Sequence, residues 1–365
     1  GLPVPPRDSE PRSYDGEDSL IRLALSSGTT GRSKIIAVSL ARLLLLCENT
    51  SALWRRNGRE MTLLPLSAQL AYINLIYQLL SGGTLFCGEF EDRPALLNLF
   101  QVEYVFGSPM QLLGLCTQLS GEDTYGGSLK MAIYLGGQAS PRLLDRVRSV
   151  LCSSVVCLYG STEVGGVSLF HVNQGSFLSG EAGYVAPEAQ VQIVDEQHRP
   201  LGSNREGTVR TRTSHMATGY YADEEATRCY FRDGWFYPGD RGWLREDGML
   251  VLTGREKELI NRGGVKVDPA AIDQRLLDYE EIEDAAAFGF ENAMGMEDVA
   301  VAVVLNREIA TETVRKSLVQ SLGLSYSPSA FVCVDVIPRN EMGKPVRAAL
   351  RDRYAGKLRA YAKQR

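Results

Sequence analysis

The sequence predicts an α/β protein: a large N-terminal α/β part on a mostly parallel sheet, a small β unit, and a smaller α+β part at the C-terminus. Three observations predict it. From about Leu20 to Tyr159, short apolar runs alternate with helical periods. Across residues 180–253, strand-like runs are separated by turns such as Asp247-Gly248, the pattern of an antiparallel unit. After Gly254, helices and strands mix again. A chain of 365 residues suits two or three domains and can bury a large core.

The elements follow in order. Residues 1–18 are rich in Pro, Ser and charge and read as a tail or linker. Ile21–Leu25 and Ile35–Val38 are predicted strands, and Ser39 is placed to cap the helix that follows. Met61–Leu64 is a strand, Ala71–Leu80 a helix ending at Gly82-Gly83, and Thr84–Cys87 a strand. Asp92 and Pro94 open a helix. Tyr104–Phe106 is a strand, Met110–Leu119 a helix, and Met131–Leu135 a strand. Ser140-Pro141 opens a helix running to about Leu151, and Val155–Leu158 is a strand. Strands at Val191–Val194, Gly207–Arg212 and Met249–Leu252 make up the β unit. Beyond it come a helix over Ala270–Leu277, strands Ala285–Phe288 and Val299–Leu305, a helix Glu312–Leu322, and a strand Phe331–Val334.

Composition removes several function classes. A net charge of −5 gives no electrostatic footprint for nucleic acid or an anionic membrane. No apolar run approaches a bilayer span, and no signal peptide is visible. The seven cysteines contain no C-x-x-C pair, which argues against a disulfide framework or zinc site and for a reducing, cytoplasmic setting. His171, His198 and His215 lack metal-ligand spacing and read as structural or surface residues.

Four segments have the residue types that chemistry needs. Ser26-Ser27-Gly28-Thr29-Thr30-Gly31-Arg32-Ser33-Lys34 lies between two predicted strands. Its glycines allow close approach to an anion, and its hydroxyls and lysine suit a polyphosphate, although it is not a Walker loop. Tyr159-Gly160-Ser161-Thr162-Glu163 follows a predicted buried strand, where α/β proteins place ligands. Gly234–Asp240 and Gly254-Arg255-Glu256-Lys257 bring a carboxylate and an arginine. Asn340–Pro345 sets Lys344 on a glycine turn. Taken alone, these also read as a Ser/Gly hairpin loop, a capped loop, two β turns and a solvated lysine.

Their order and wording together resemble the adenylate-forming superfamily of acyl-CoA synthetases, peptide-synthetase adenylation domains and luciferases. Leu135-Gly136-Gly137-Gln138, Thr218-Gly219-Tyr220-Tyr221 with Glu225-Ala226-Thr227, and Arg262–Val267 add to the resemblance, which runs from about Leu23 to Leu350.

The resemblance implies an abbreviated large domain over 19–253, a hinge at 254–258 and a lid domain over 259–365. It implies an ATP site formed by Ser26, Ser27, Gly28, Thr29, Thr30, Gly31 and Lys34 on the phosphates, and Gly136, Gly137, Gln138, Tyr159, Gly160 and Ser161 around the adenine. Thr162 would touch the α-phosphate, Glu163 would hold Mg²⁺, and Asp240 with Arg255 would take the ribose. Lys344 would bridge the substrate carboxylate and α-phosphate, Lys257 would sit at the hinge, and Gly263 and Gly264 would face the incoming thiol. The implied activity is ATP-dependent, AMP-forming activation of a small carboxylic acid, with transfer to CoA or to the phosphopantetheine of a separate carrier protein. A catalytically silent nucleotide-binding protein is the alternative from another class.

Three departures from the family pattern stand out. Only about two dozen residues precede the Ser/Thr/Gly loop, as in a short form, a fragment, or a subunit completed by another chain. Pro65–Leu70 lacks the aromatic-histidine pair common near the family's acyl site, and carries no aspartate, so the acid is not copied from familiar members. Arg32-Ser33 replaces a proline-containing pair, with Lys34 kept.

Overall fold

The fold was obtained as a computed structural model, which describes residues 19–26, 34–54, 58–88, 93–119, 127–172, 180–292, 294–340 and 343–362. Strands β1 (Leu20–Ser26) and β2 (Lys34–Ser39) pair antiparallel, with Ser26 opposite Lys34. The sequence places both strands in the parallel alternation, but they form a two-stranded sheet of their own. The reason is length: seven residues join them, whereas a parallel crossover needs a dozen or more. Helix α1 (Leu40–Trp54) follows, with Ser39 Oγ accepting the Arg42 N–H at 3.2 Å as expected of a cap.

The parallel layer uses β3 (Arg59–Thr62), α2 (Gln69–Ser81), β4 (Thr84–Phe86), α3 (Arg93–Leu99), β5 (Tyr104–Gly107), α4 (Pro109–Gln118), β6 (Met131–Leu135), α5 (Pro141–Val150) and β7 (Val155–Ser161). Its strand order is β4-β3-β5-β6-β7. Side chains alternate between two covered faces. Val105, Ala132, Tyr134 and Val155 pack with Leu97, Leu112, Leu115, Leu144 and Val147 of α3, α4 and α5. Phe106, Ile133, Val156 and Leu158 form the opposite face, with Leu70 of α2 against them. Ser108 and Gln111 close a capping box on α4, and Ser140 caps α5.

The antiparallel strands continue this sheet edge to edge. They are β8 (Gly165–His171), β9 (Glu181–Val185), β10 (Ala189–Val194) and β11 (Gly207–Thr213). Past α6 (Glu224–Tyr230) come β12 (Phe231–Arg232), β13 (Trp235–Phe236), β14 (Asp240–Leu244) and β15 (Met249–Arg255). Strand β8 pairs antiparallel with β7, so the layer and the β unit share one sheet, thirteen-stranded among the described residues.

The C-terminal part has a hairpin, β16 (Ile260–Arg262) with β17 (Val265–Val267), then α7 (Pro269–Leu276), β18 (Ile282–Glu291), β19 (Glu297–Leu305), α8 (Thr311–Leu322), β20 (Ala330–Cys333) and α9 (Arg347–Ala362). Strand period two splits its core. Ala285, Ala287, Val299 and Val301 meet Ile272, Leu276, Val314 and Leu318, while Ala286, Phe288, Ala300 and Ala302 meet Leu350, Tyr354 and Leu358. Gln274 Nε2 donates to Gln138 Oε1 at 2.6 Å, and Arg142 Nη1 donates to the Asp278 carbonyl at 2.9 Å, joining this part to the large sheet. No helix among the described residues is long and apolar enough to cross a membrane.

One buried carboxyl is unusual. Glu60 on β3 is 5% exposed and accepts from Asn74 Nδ2 and Gln78 Nε2, each at 2.8 Å. Burial outweighs those bonds and pushes its pKa up from 4.5 to about 7. A carboxyl raised in the fold makes stability fall as pH climbs from about 4.5 to about 7. Glu60→Gln removes that slope. In urea unfolding, the variant's advantage over wild type should grow by about 2 kcal/mol between mildly acidic and mildly alkaline buffer. A pH-independent difference would show that Glu60 titrates alike in the folded and unfolded chain, without the raised pKa.

Candidate active site

A cleft of about 1220 Å³ opens at the carboxyl ends of β6 and β7, where Leu135, Gly136, Leu158, Gly160 and Ser161 line it. This is the edge at which open parallel sheets collect ligands. Ser26, Lys34, Thr162, Glu163, Arg255, Lys257 and Lys344 line the same cleft. Residues far apart in sequence, from β1 to the C-terminal part, are thus brought to one place.

Thr162 and Glu163 are held from behind. Arg42 of α1 donates through Nη2 to the carbonyls of Thr162 at 2.8 Å and Glu163 at 3.1 Å, and through Nε to that of His215 at 2.9 Å. Burial lowers the Arg42 pKa to about 10, with Glu163 opposing the shift. Gly165 sits at φ +77°, and a Cβ there would lie 2.7 Å from His215 Nε2. Burial, and secondarily Arg42, lower the His215 pKa to about 4, so this imidazole is neutral and packs the wall. That agrees with the structural role the sequence gives it.

Glu163 is 6% exposed and accepts the Tyr220 hydroxyl at 2.9 Å. Burial, then Glu163, push the Tyr220 pKa well up, so it stays a donor. The Gly-Tyr…Thr segment has a local reason: Tyr220 N–H donates to Thr227 Oγ1 at 2.8 Å, and a Cβ on Gly219 would lie 2.5 Å from the Thr227 methyl.

Asp240, 5% exposed, ties three strands together. It pairs with Arg255 Nε at 3.0 Å and accepts the Tyr159 hydroxyl at 2.6 Å. Lys34 Nζ lies 4.4 Å from the Tyr230 ring centroid, while Lys257 Nζ donates to the Tyr230 hydroxyl at 2.6 Å. Two ammonium groups sharing one aromatic ring make an electropositive wall.

Lys344 arrives on a closed turn. Its N–H donates to Asn340 Oδ1 at 2.9 Å, and the Asn340 N–H donates to its carbonyl at 2.9 Å. Gly343, at φ +72°, lets the turn press on Ser108: a Cβ would lie 2.8 Å from Ser108 Oγ. Burial, then Arg255, lower the Lys344 pKa to about 8, while Asp240 and Glu258 pull it back up.

Other expected site residues lie elsewhere. Ser27, Gly28, Thr29, Thr30 and Gly31 fall outside the described residues. Gly137 packs toward Pro109, Gln138 bonds Gln274, and Gly263 and Gly264 form the exposed β16–β17 turn; none of these lines the cleft. Tyr159 and Asp240 stand behind it, linked through Arg255. Among the described residues no three His, Cys, Asp or Glu cluster as a metal cage. Glu163, in a cleft with Thr162, Ser161 and lysines, fits a magnesium ion held mainly by phosphate oxygens and water.

The sequence did not single out Tyr230, Arg42 or Gln69. A lone arginine inside the apolar helix face of Leu40–Leu46 is the signal that would have found Arg42; nothing local marks Tyr230.

Asp240→Ala leaves Arg255 and the Tyr159 hydroxyl unpartnered at their shared oxygen pair. It should lower unfolding free energy by about 1–3 kcal/mol in urea denaturation at neutral pH. An unchanged midpoint and slope would show that the pair does not hold β7, β14 and β15 together.

Comparison with known proteins places this geometry. A family model described as AMP-binding enzyme matches residues 3–221. The chain is 27% identical over 361 residues to 4-coumarate–CoA ligase 3 of Oryza sativa subsp. japonica, covering 93% of this chain and 64% of that protein. It is 26% identical over 362 residues to 2-hydroxy-7-methoxy-5-methyl-1-naphthoate–CoA ligase of Streptomyces carzinostaticus, covering 93% and 63%. Its fold matches the crystal structure of ATP-bound MatB from Rhodopseudomonas palustris with a TM-score of 0.82 at 24% identity, over 94% of this chain and 70% of that one. The chain therefore spans somewhat under two thirds of the length of these curated relatives. With a family model matched over more than half its length, and the cleft built from the segments described above, the chain belongs to the AMP-binding enzyme family.

Proposed function

We propose that this chain activates a carboxylic acid with ATP, forming an acyl-adenylate and pyrophosphate, and then passes the acyl group to a thiol, preferentially that of CoA. One observation supports this above the rest: Lys34, Glu163, Arg255 and Lys344 line a single cleft at the ends of the parallel strands. The reaction needs such convergence, because a carboxylate must approach an anionic phosphorus.

In this reading Lys344 lies between the two anions and screens their repulsion in a partly dry site, where a charge counts for more than in water. Ser26 and Lys34 hold the outer phosphates, and Thr162 donates to the α-phosphate. The ribose hydroxyls meet Arg255 on the cleft wall, and Asp240, behind it with one oxygen on Arg255 and one on Tyr159, holds that guanidinium in place. Magnesium, when bound, supplies charge neutralisation on the phosphate oxygens, and Glu163 is the residue that would hold it. Lys257 lies where the chain leaves β15, the expected hinge. Gly263 and Gly264, outside the cleft in this arrangement, become the thiol face once the C-terminal part turns. The acceptor is CoA or a carrier-protein pantetheine, and thioester formation with each distinguishes them. The relatives are named for unlike acids, 4-coumarate and a substituted naphthoate, so their names leave the acid open.

Acid-dependent exchange of labelled pyrophosphate into ATP is the test. Lys344→Ala should lower exchange about 100-fold or more. For the wild type, kcat/KM should fall with rising pH through an apparent pKa of about 8, as the Lys344 ammonium loses its proton. Exchange that survives Lys344→Ala, or that is absent over aryl, short-chain, long-chain and amino acids, would overturn the reading.

A further inference from the structure

We propose that Arg339, gripped by Asp284, is the positioning residue that aims Lys344 for adenylate formation. The inference rests on Lys344 screening the two anions in that step, and it goes further by naming the groups that hold the lysine there.

A lysine ends a long, flexible stem, so its aim depends on how firmly its backbone is held. Most bonds of the Lys344 turn are internal. The Gly343 N–H donates to the Asn340 carbonyl at 2.8 Å, Asn340 and Lys344 bond each other, and the Val346 N–H closes the base on the Pro338 carbonyl at 2.8 Å. Such bonds shape the turn but do not fix it to the fold.

Arg339 supplies that attachment. Its Nη1 donates to the carbonyl of Gly343, the residue before Lys344, at 2.6 Å. The rest of its guanidinium forks onto Asp284 of β18, with Nη2 on Oδ1 and Nε on Oδ2, the latter at 3.1 Å. A bidentate fork fixes direction as well as distance. The two side chains are only 18% and 16% exposed, so water screens the pair weakly. Asp284 itself stands on a firm base: the next residues of β18, Ala285 and Ala286, are core.

The opposite side of the turn meets the large sheet's layer. Gly343 packs on Ser108, the residue that caps α4. Gly343 is therefore held between a guanidinium belonging to the C-terminal part and a helix cap of the large part, and Lys344 reaches the cleft from that fixed point. Neither Arg339 nor Asp284 lines the cleft, so any effect of theirs on the chemistry passes through the turn.

Separating the two half-reactions tests this. Adenylate formation brings two anions together, whereas thiol transfer from a finished adenylate does not. The probes are the acid giving the highest pyrophosphate exchange with the wild-type chain, and its synthetic acyl-adenylate with CoA. Arg339→Gln alone would strand the Asp284 charge, so the main variant is Arg339→Gln with Asp284→Asn, its fold checked by melting temperature. Arg339→Lys, which keeps a cation beside Asp284 but cannot fork onto it and reach Gly343 at once, is the second variant. In both, kcat for exchange should fall about 10-fold or more, since small misplacements of a reacting group are costly. KM for ATP should move less than about 3-fold, and transfer from the synthetic adenylate to CoA should stay within about 2-fold of wild type. Exchange within about 2-fold of wild type in either folded variant, a loss confined to KM, or an equal loss in both half-reactions would overturn the inference. No exchange by the wild type with any acid, or exchange that survives Lys344→Ala, would overturn the catalytic reading instead.

Discussion

Asp240 is the charge on which the cleft is balanced. Three strands reach it: β7 through the Tyr159 hydroxyl, β15 through Arg255, and β14, on which it stands. Without it, Arg255 and Lys344 would lose one of the carboxylates that oppose their mutual repulsion. The Lys344 pKa shows the competition directly, with Arg255 lowering it and Asp240 and Glu258 raising it. Burial and Arg255 oppose the charge on Lys344, and Asp240 and Glu258 support it.

Much of the fold is legible in the sequence because local signals and tertiary structure agree. Ser39, Ser108 and Ser140 sit where their helices begin, and Pro109 and Pro141 follow as first-turn residues. The strands of the parallel layer are short β-rich runs bounded by turns, and they fall where their pattern puts them. Pairing is a different matter. Strands β1 and β2 look like their neighbours in composition, and only the length of the connection shows that they must form a hairpin. Nor does any local signal show that the antiparallel strands extend the parallel layer, since the β7–β8 junction depends on a turn at Gly165 whose need comes from His215, fifty residues away.

The site divides along the same line. Residues whose chemistry is carried in a short motif, such as Thr162, Glu163, Arg255 and Lys344, were singled out in the sequence, and the fold brings them to one cleft, with Asp240 paired behind Arg255. Residues whose importance lies in what they touch were not. Tyr230 looks like any aromatic at the end of a short helix, yet it meets both Lys34 and Lys257. Gln138, read from its motif as an adenine neighbour, instead bonds Gln274 across to the C-terminal part.

Glu60 and Gln69 show how differently two breaches of the same rule can resolve. Both are polar groups buried against α2 and β3, where an apolar side chain would be expected. Glu60 is answered within the fold, by the amide N–H groups of Asn74 and Gln78, and its remaining cost appears as a raised pKa. Gln69, at the other end of the same helix, finds no partner among the described residues. Sequences are locally consistent except where function opposes stability. Of the two groups, only Gln69 lines the cleft. An internal answer for Glu60, and none among the described residues for Gln69, separates the two ends of α2.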